Sequence, residues 1–136
     1  MIILDTHIWL WWVNDETNSM KAQWMELINN TSEVGVSAIS CFEVAWLQRH
    51  DRIILPEPIL IWFDKALRGS NITLVPITAE IACAAVDLSE HHSDPQDRII
   101  IATALMTDSK LYFARSCLRI LWQGYFVREQ GAKTGA

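Results

Sequence analysis

The first residues of the chain place the strongest constraint on its fold. Ile2, Ile3 and Leu4 form an apolar run that ends at the carboxylate of Asp5. A continuous apolar run of this kind is typical of a central parallel strand that is covered on both faces. In open α/β sheets, ligands bind beyond the carboxyl ends of the strands. An acid at that position is costly to bury alone, so Asp5 needs a metal, another cation or a helix cap.

The bulk composition indicates one domain with a sizeable core. The chain has 136 residues, of which 51% are hydrophobic, which is too large a share for a disordered protein. We expect no membrane span, because no apolar run is long enough, and no signal peptide, because no basic region precedes a long apolar core; we therefore expect a cytoplasmic protein. The net charge of −5 argues against a broad basic surface for nucleic acid. It does not exclude an enzyme whose acids are neutralised by a metal.

The cysteines and histidines do not form a metal-binding motif. Three widely spaced cysteines, Cys41, Cys83 and Cys117, contain no C-x-x-C pair, and we expect buried free thiols in a reducing compartment. His91 and His92 have no second ligand cluster, so a solvated loop is a better interpretation than a zinc site. The seven tryptophans are expected to pack in the core or in interfaces. Stacking on nucleic-acid bases is the alternative, and the Ile, Leu and Val residues mixed with the tryptophans favour packing over it.

Strand and helix patterns alternate along the chain, which predicts an α/β fold with a parallel sheet. The predicted strands are 2–5, 34–37, 72–77, 111–113 and 118–122, and the predicted helices are 6–13, 19–29, 40–49, 59–67, 79–90 and 95–106. Ser19 and Thr78 are the expected caps of two helices, and Gly69 is the expected end of another. We expect a single domain over residues 1–127 and a polar, disordered tail over 128–136.

Two helix starts carry acids. Ser40 and Glu43 fit a capping box, in which the Glu43 side chain reaches back to the amide of Ser40. Asp94 is a good N-cap, with Pro95 at N1 and Asp97 at N3 of the same helix. Each of these acids therefore has a structural explanation, because the helix macrodipole favours negative charge at this end.

The topology nevertheless brings three acids together. Asp5 ends the first strand, Glu43 follows the second strand, and Asp97 begins the helix that leads to the fourth. Strand ends and the following helix starts share one edge of a parallel sheet, so the three carboxylates can converge. Oxygen-rich clusters of this kind bind Mg²⁺ or Mn²⁺. Such a cation can activate water and stabilise charge on a phosphate, which suits hydrolysis of a phosphodiester bond.

The segments that carry these acids resemble the three motifs of PIN-domain ribonucleases of the VapC toxin type. The matching segments are LDTH at 4–7 with LWW at 10–12, SAISCFEVA at 37–45, and HSDPQDR at 92–98 with IA at 101–102. They occur in the family's order and with its usual spacing, from about residue 2 to about residue 105. Residues 118–122 also resemble the family's closing strand.

The resemblance implies a PIN-like three-layer sandwich, in which helices flank a central parallel sheet of about five short strands. It further implies Mg²⁺- or Mn²⁺-dependent cleavage of single-stranded RNA, a homodimer, and an antitoxin that blocks the site. The implied catalytic and metal-site acids are Asp5, Glu43 and Asp97, and the implied supporting residues are Thr6, Asp94, Arg98 and Ser116. Thr6 would hold the Asp5 carboxylate or a metal-bound water.

The chain departs from the family in one motif, and two alternative functions stay open. The family usually has a Thr-x-Asp motif after the fourth strand, whereas this chain has Ala114, Arg115 and Ser116. The first alternative is thus a catalytically weakened module that dimerises and binds antitoxin or RNA without cutting. The second is a phosphoryl-transfer fold with Asp5 as nucleophile. Such folds usually add a second adjacent acid and a later strand-end lysine, whereas Lys110 precedes its strand.

Overall fold

The computed structural model describes residues 1–16, 22–68, 71–88 and 94–112, together with the short strands 118–120 and 126–128. The described elements are β1 (Ile2–Leu4), α1 (Thr6–Val13), α2 (Ala22–Asn30), β2 (Val34–Ser37), α3 (Ala38–Arg49), α4 (Ile59–Ala66), β3 (Ile72–Val75), α5 (Ala79–Asp87), α6 (Pro95–Met106), β4 (Lys110–Tyr112), β5 (Leu118–Ile120) and β6 (Phe126–Arg128). Within these ranges, no helix is long and apolar enough to cross a bilayer.

Strand β1 occupies the interior of a parallel sheet, as its apolar run predicts. The strand order is β3-β2-β1-β4, and β1 pairs in parallel with β2 on one side and β4 on the other. Ile3 lies beside Gly35 of β2 and Leu111 of β4. A Cβ atom at Gly35 would lie only 2.5 Å from Cδ1 of Ile3, so glycine lets that side chain pack across its neighbour.

Helices cover both faces of the sheet, which confirms the predicted α/β sandwich. On one face, Leu4 and Val36 belong to a cluster that includes buried residues of α1 to α4. In that cluster the rings of Trp9 and Trp62 meet edge to face, with centroids 5.1 Å apart. On the other face, Ile3 packs with buried residues of α5 and α6. The alternating side chains of β1 therefore join the two halves of the core.

The expected fifth strand of the parallel sheet lies elsewhere. Strand β5 pairs antiparallel with β6, from Leu118 opposite Arg128 to Ile120 opposite Phe126, and the parallel sheet has four strands. Only residues 113–117 connect β4 to β5, whereas a parallel crossover needs about a dozen residues or more. Strand β6 spans the predicted boundary between domain and tail at residue 127, and residues 129–136 lie outside the described part.

One local prediction is confirmed, and two predicted element ends are shifted. Thr78 caps α5, accepting a hydrogen bond from the backbone N–H of Ile81 at 3.2 Å. Strand β3 ends at Val75 rather than at residue 77. Pro76 lacks the N–H that would extend the ladder. Helix α5 ends at Asp87, before the predicted residue 90.

The thiols are less buried than predicted. Cys83 is exposed and Cys41 is half-buried, so the expectation of buried thiols is wrong for Cys83. Burial nevertheless raises the pKa of the Cys41 thiol. Four further expectations lie outside the described residues: the cap at Ser19, the helix end at Gly69, the loop at His91 and His92, and the third thiol, Cys117.

Candidate metal centre

Four carboxylates from three separate segments line one cavity at the carboxyl edge of the sheet. The lining residues are Asp5, Thr6, His7, Glu43, Asp94, Asp97 and Ile100. The cavity has a volume of about 20 Å³, which is room for about one water-sized particle. The structure therefore brings together the three acids that the topology predicts, and adds Asp94 to them.

Asp5 is held in place by the helix that follows it. Its side chain is 5% exposed, and Oδ1 accepts a hydrogen bond of 2.9 Å from the backbone N–H of Ile8. Its own N–H donates to the carbonyl of Tyr112 at 3.1 Å, which ties the end of β1 to β4. Asp5 is thus the N-cap of α1, and the helix macrodipole favours its negative charge. A metal, another cation or a helix cap was expected to stabilise a buried Asp5, and the structure shows the helix cap.

The Thr6 hydroxyl connects α1 to α3. Thr6 is buried, and its Oγ1 lies 3.0 Å from Oε1 of Glu43 and 3.0 Å from Oγ of buried Ser40. A hydroxyl has one proton, so Thr6 can donate to the Glu43 carboxylate while it accepts from Ser40. The contact of Thr6 with Glu43 was not expected from the sequence, which predicted that Thr6 holds the Asp5 carboxylate or a metal-bound water.

The predicted capping box at Ser40 is wrong. Helix α3 begins at Ala38, and its cap is Ser37, whose Oγ accepts a hydrogen bond of 3.3 Å from the backbone N–H of Ile39. Glu43 therefore lies in the second turn rather than the first. Strand β2 runs directly into α3, so Ser37, the last residue of the strand, takes the cap. This earlier start leaves the Glu43 side chain in the cavity rather than on the backbone of its own helix.

The start of α6 supplies the other two acids. Asp94 caps the helix as predicted, with Oδ1 accepting from the backbone N–H groups of Gln96 at 2.9 Å and Asp97 at 3.3 Å. Pro95 occupies the first helical position, and Asp97 lies in the first turn. Both acids are half-buried, and the macrodipole at this helix end favours negative charge.

Arg98 supports the cavity from outside. Its Nε donates to the carbonyl of Ala85 at 3.0 Å, and its Nη2 donates to those of Val86 at 2.9 Å and Leu88 at 2.7 Å. The guanidinium thereby satisfies carbonyls at the end of α5 and ties that end to the first turn of α6. Arg98 does not line the cavity. The expected supporting residue Ser116 lies outside the described residues.

Two members of the site were not predicted. Ser40 was expected only as a helix cap, whereas its buried hydroxyl contacts Thr6. His7 lines the cavity and lies half-buried beside Trp11, with ring centroids 6.0 Å apart. The sequence could have indicated His7 as a site residue through its position directly after Asp5 and Thr6. Residues that follow a central parallel strand lie at the edge of the sheet where ligands bind.

The chemistry of the cavity fits a hard divalent cation that keeps part of its water shell. The lining donors are mainly carboxylate and hydroxyl oxygens, which Mg²⁺ and Mn²⁺ prefer. Within the described ranges, no group of three or more His, Cys, Asp or Glu side chains has the geometry of a preformed metal cage. Mg²⁺ usually binds through one or two carboxylates plus waters, so it does not require such a cage.

Comparisons with known proteins agree with this architecture. The family model described as PIN domain matches residues 2–114. Ribonuclease VapC22 of Mycobacterium tuberculosis is 37% identical over 105 residues, which cover 76% of this chain and 78% of that protein. A PIN-like fold with a four-stranded parallel sheet is therefore supported by sequence as well as by topology.

Two solved structures are similar in fold. The first, VapBC2 from Rickettsia felis bound to a DNA fragment from their promoter, has a TM-score of 0.56 and 20% identity, covering 82% of this chain and 86% of that chain. The second, a toxin–antitoxin complex from Klebsiella pneumoniae, has a TM-score of 0.54 and 18% identity, covering 82% and 83%. These two likenesses agree in fold, and the family match over residues 2–114 with the 37% identity to Ribonuclease VapC22 shows that the chain belongs to the PIN domain family.

Proposed function

We propose that this protein is a Mg²⁺- or Mn²⁺-dependent endoribonuclease, the toxin of a toxin–antitoxin pair, which hydrolyses phosphodiester bonds of RNA. The observation that carries the proposal is the convergence of Asp5, Glu43, Asp94 and Asp97 on one cavity. The similarity to Ribonuclease VapC22 supports the choice of RNA as substrate.

In this proposal Asp5, Glu43 and Asp97 would hold the cation. A bound divalent cation supplies an activated water and stabilises the charge that develops on the phosphate. The chain contributes positioning: α1 orients Asp5 through the Ile8 amide, and Thr6 orients Glu43. Carboxylates fixed in this way need little reorganisation when a cation or a phosphate arrives.

The proposed partners are a cognate antitoxin, which inhibits the enzyme by blocking the site, and a second copy of the chain in a homodimer. One structural neighbour is described as a toxin–antitoxin complex and the other as VapBC2 bound to a DNA fragment from their promoter, which supports the antitoxin. The chain also exposes aliphatic side chains: Ile54 is 94% exposed and Leu60 is 79% exposed. Exposed apolar patches are typical of surfaces that another protein covers.

A second candidate is a catalytically weakened module that dimerises and binds antitoxin or RNA without cutting. The observation that favours it is Ser116 in the sequence segment where the family usually has an acid. A hydroxyl cannot replace the charge of a carboxylate beside a divalent cation. The two candidates therefore differ in whether three site acids and Asp94 are enough for catalysis.

Cleavage of RNA by the purified full chain tests the proposal. We expect structured RNA with single-stranded loops to be cut in the presence of Mn²⁺, and the cleavage to stop with EDTA or with Asp5→Asn. Equal cleavage by the Asp5→Asn protein would contradict the proposal. RNA binding without cleavage by the unsubstituted protein would favour the weakened module.

A further inference from the structure

An exposed row of aromatic side chains runs along α3, the helix that carries Glu43. Phe42, Trp46 and His50 follow one another at a spacing of four residues, and we call them the aromatic stripe. Phe42 is 55% exposed and Trp46 is 44% exposed, whereas the core tryptophan Trp9 is 0% exposed. The stripe contributes little to the core, so its exposure needs another explanation.

Trp46 of the aromatic stripe lies about one helical turn after Glu43, a residue that lines the acidic cavity. Trp46 lies three residues after Glu43, and residues at that spacing are neighbours on a helix surface, with Cβ atoms about 5–6 Å apart. Glu43 lines the cavity, and Thr6 holds its carboxylate. A strand of RNA whose phosphate occupies the cavity would therefore have its adjoining nucleotides next to Trp46.

Part of the aromatic stripe is already an ordered stack. The rings of Trp46 and His50 lie with centroids 4.0 Å apart and planes inclined by 22°. Nδ1 of His50 lies 2.8 Å from the carbonyl oxygen of Trp46, and this hydrogen bond fixes the imidazole. A platform that is ordered before binding loses less side-chain entropy when a planar ligand stacks on it.

Positive charge lies at the far end of the aromatic stripe. Arg49 follows Phe42 by seven residues, which puts it on the same face of α3, and Arg52 follows the end of the helix. Both are exposed, and neither forms an ion pair with a residue that the structure describes. Exposed Asp51 lies between them in the sequence, so residues 49–52 carry a local net charge of +1 in a chain whose net charge is −5, and this local excess of positive charge favours an anionic ligand.

We propose that the aromatic stripe stacks unpaired bases of single-stranded RNA, and that Arg49 and Arg52 contact its phosphates. The choice of RNA rests on the proposed ribonuclease function. Aromatic platforms combined with cationic side chains are the usual means of binding single strands, because every base has a face that can stack. The exposed aliphatic residues Ile54 and Leu60 suit a protein partner better, and they lie outside α3.

Binding without cleavage tests the inference separately from the nuclease proposal. The probe is a fluorescently labelled, 2′-O-methylated single-stranded oligoribonucleotide, titrated with the full chain in EDTA and followed by anisotropy. We expect Trp46→Ala to weaken binding by about 5- to 160-fold, the range of one base–aromatic stack, and Trp46→Phe to retain most of the affinity. Arg49→Gln should weaken binding and reduce its salt dependence.

The matched control is Leu60→Ala on α4, which removes an exposed apolar side chain outside the aromatic stripe and should leave the affinity unchanged. Circular dichroism of each variant checks that it is folded. The same affinity for the unsubstituted protein and a folded Trp46→Ala protein would overturn the inference. The anisotropy titration involves neither a bound cation nor cleavage of RNA. It therefore tests base stacking even if the protein proves not to be a ribonuclease.

Photocrosslinking of the unsubstituted chain gives a test that needs no substitution. An oligoribonucleotide containing 4-thiouridine is irradiated with the protein in EDTA, and the crosslinked tryptic peptides are identified by mass spectrometry. We expect crosslinks in peptide 22–49, which contains Phe42 and Trp46. Crosslinks confined to peptide 53–65, which contains Ile54 and Leu60, would overturn the inference.

Discussion

The hydroxyl oxygen of Thr6 lies 3.0 Å from the carboxylate of Glu43, although 37 positions separate the two residues. Thr6 follows Asp5 directly, so this contact fixes the distance between the end of β1 and the second turn of α3. The carboxylates of Asp5, Glu43 and Asp94 are therefore positioned by hydrogen bonds within the protein.

Removal of the Thr6 hydroxyl should weaken both the fold and the site. In Thr6→Val, Glu43 and the buried Ser40 lose their partner, so we expect the free energy of unfolding to fall by about 1–3 kcal/mol. Groups that orient metal ligands typically contribute about 10- to 100-fold to metal affinity or activity, so RNA cleavage should fall by that factor. Urea unfolding and cleavage rates in Mn²⁺ measure the two effects.

Thr73 provides the matched control for Thr6. Its hydroxyl donates to Oε1 of Glu33 at 3.0 Å, but it is exposed on β3. Thr73→Val should therefore leave cleavage unchanged, and Thr6→Ser should retain most of the activity. If Thr6→Val cleaved RNA as fast as Thr73→Val, the proposed positioning role of Thr6 would be wrong.

Arg98 should contribute mainly to stability. Arg98→Ala leaves carbonyls at the end of α5 without their donor, which we expect to cost about 1.5–3 kcal/mol. Arg98→Lys should recover only part of this loss, because an ammonium cannot reproduce the planar fork of a guanidinium. The control is Arg68→Ala, which removes an exposed ion pair with Asp64 and should cost less than about 1 kcal/mol in urea unfolding. Equal losses for both substitutions would contradict this account.

The two described cysteines should react at different rates. Burial raises the pKa of the Cys41 thiol, and the thiolate is the reactive form. Iodoacetamide at pH 8 should therefore modify exposed Cys83 faster than Cys41, as followed by peptide mass spectrometry. Faster modification of Cys41 would contradict its burial.

The raised pKa of the Cys41 thiol predicts how the stability of the protein changes with pH. Burial raises the pKa of Cys41 above the ordinary thiol value of 9.0, so this thiol ionises in the unfolded chain before it ionises in the folded protein. The unfolded state then binds fewer protons, so stability falls as pH rises. The stabilisation that the Cys41 thiol contributes is thus fully present below about pH 9. It is lost as pH rises through the pKa that the thiol has in the folded protein. Cys41→Ala should flatten this decline in urea unfolding measured from pH 8 to 10.

Gly35 and Ile3 should show coupled effects on stability. A Cβ atom at Gly35 would lie 2.5 Å from Cδ1 of Ile3, so Gly35→Ala should destabilise the protein by about 1–3 kcal/mol. Ile3→Val deletes that methyl and should cost about 0.5–1.5 kcal/mol by itself. The double variant should lose less than the sum of the single losses. Strict additivity in urea unfolding would show that the two side chains do not compete for space.

The features that the sequence predicted well depend on local chemistry. The apolar run before Asp5 predicted an interior strand, and Asp94 followed by Pro95 predicted the start of α6 within one residue. In both cases, the residues that determine the local structure lie within a few positions of one another in the sequence. The shared edge of a parallel sheet then sufficed to bring distant acids to one cavity.

The features that were predicted wrongly depend on tertiary contacts or on competing local patterns. Ser37 and Ser40 both fit a helix cap, and only the direct junction of β2 with α3 decides between them. The contact of Thr6 with Glu43 has no counterpart in sequence spacing. Likewise, β5 has the composition of a sheet strand, but its short connection and the following β6 give it an antiparallel partner.

The central claim is that Asp5, Glu43 and Asp97 share one divalent cation, and calorimetric titration with Mn²⁺ tests it most directly. The control is Asp108→Asn, a carboxylate in a turn after α6 whose φ of 53° asparagine tolerates. We predict one Mn²⁺ site in the unsubstituted and Asp108→Asn proteins, and its loss in Asp97→Asn. Equal Mn²⁺ binding by Asp97→Asn and Asp108→Asn would contradict the account.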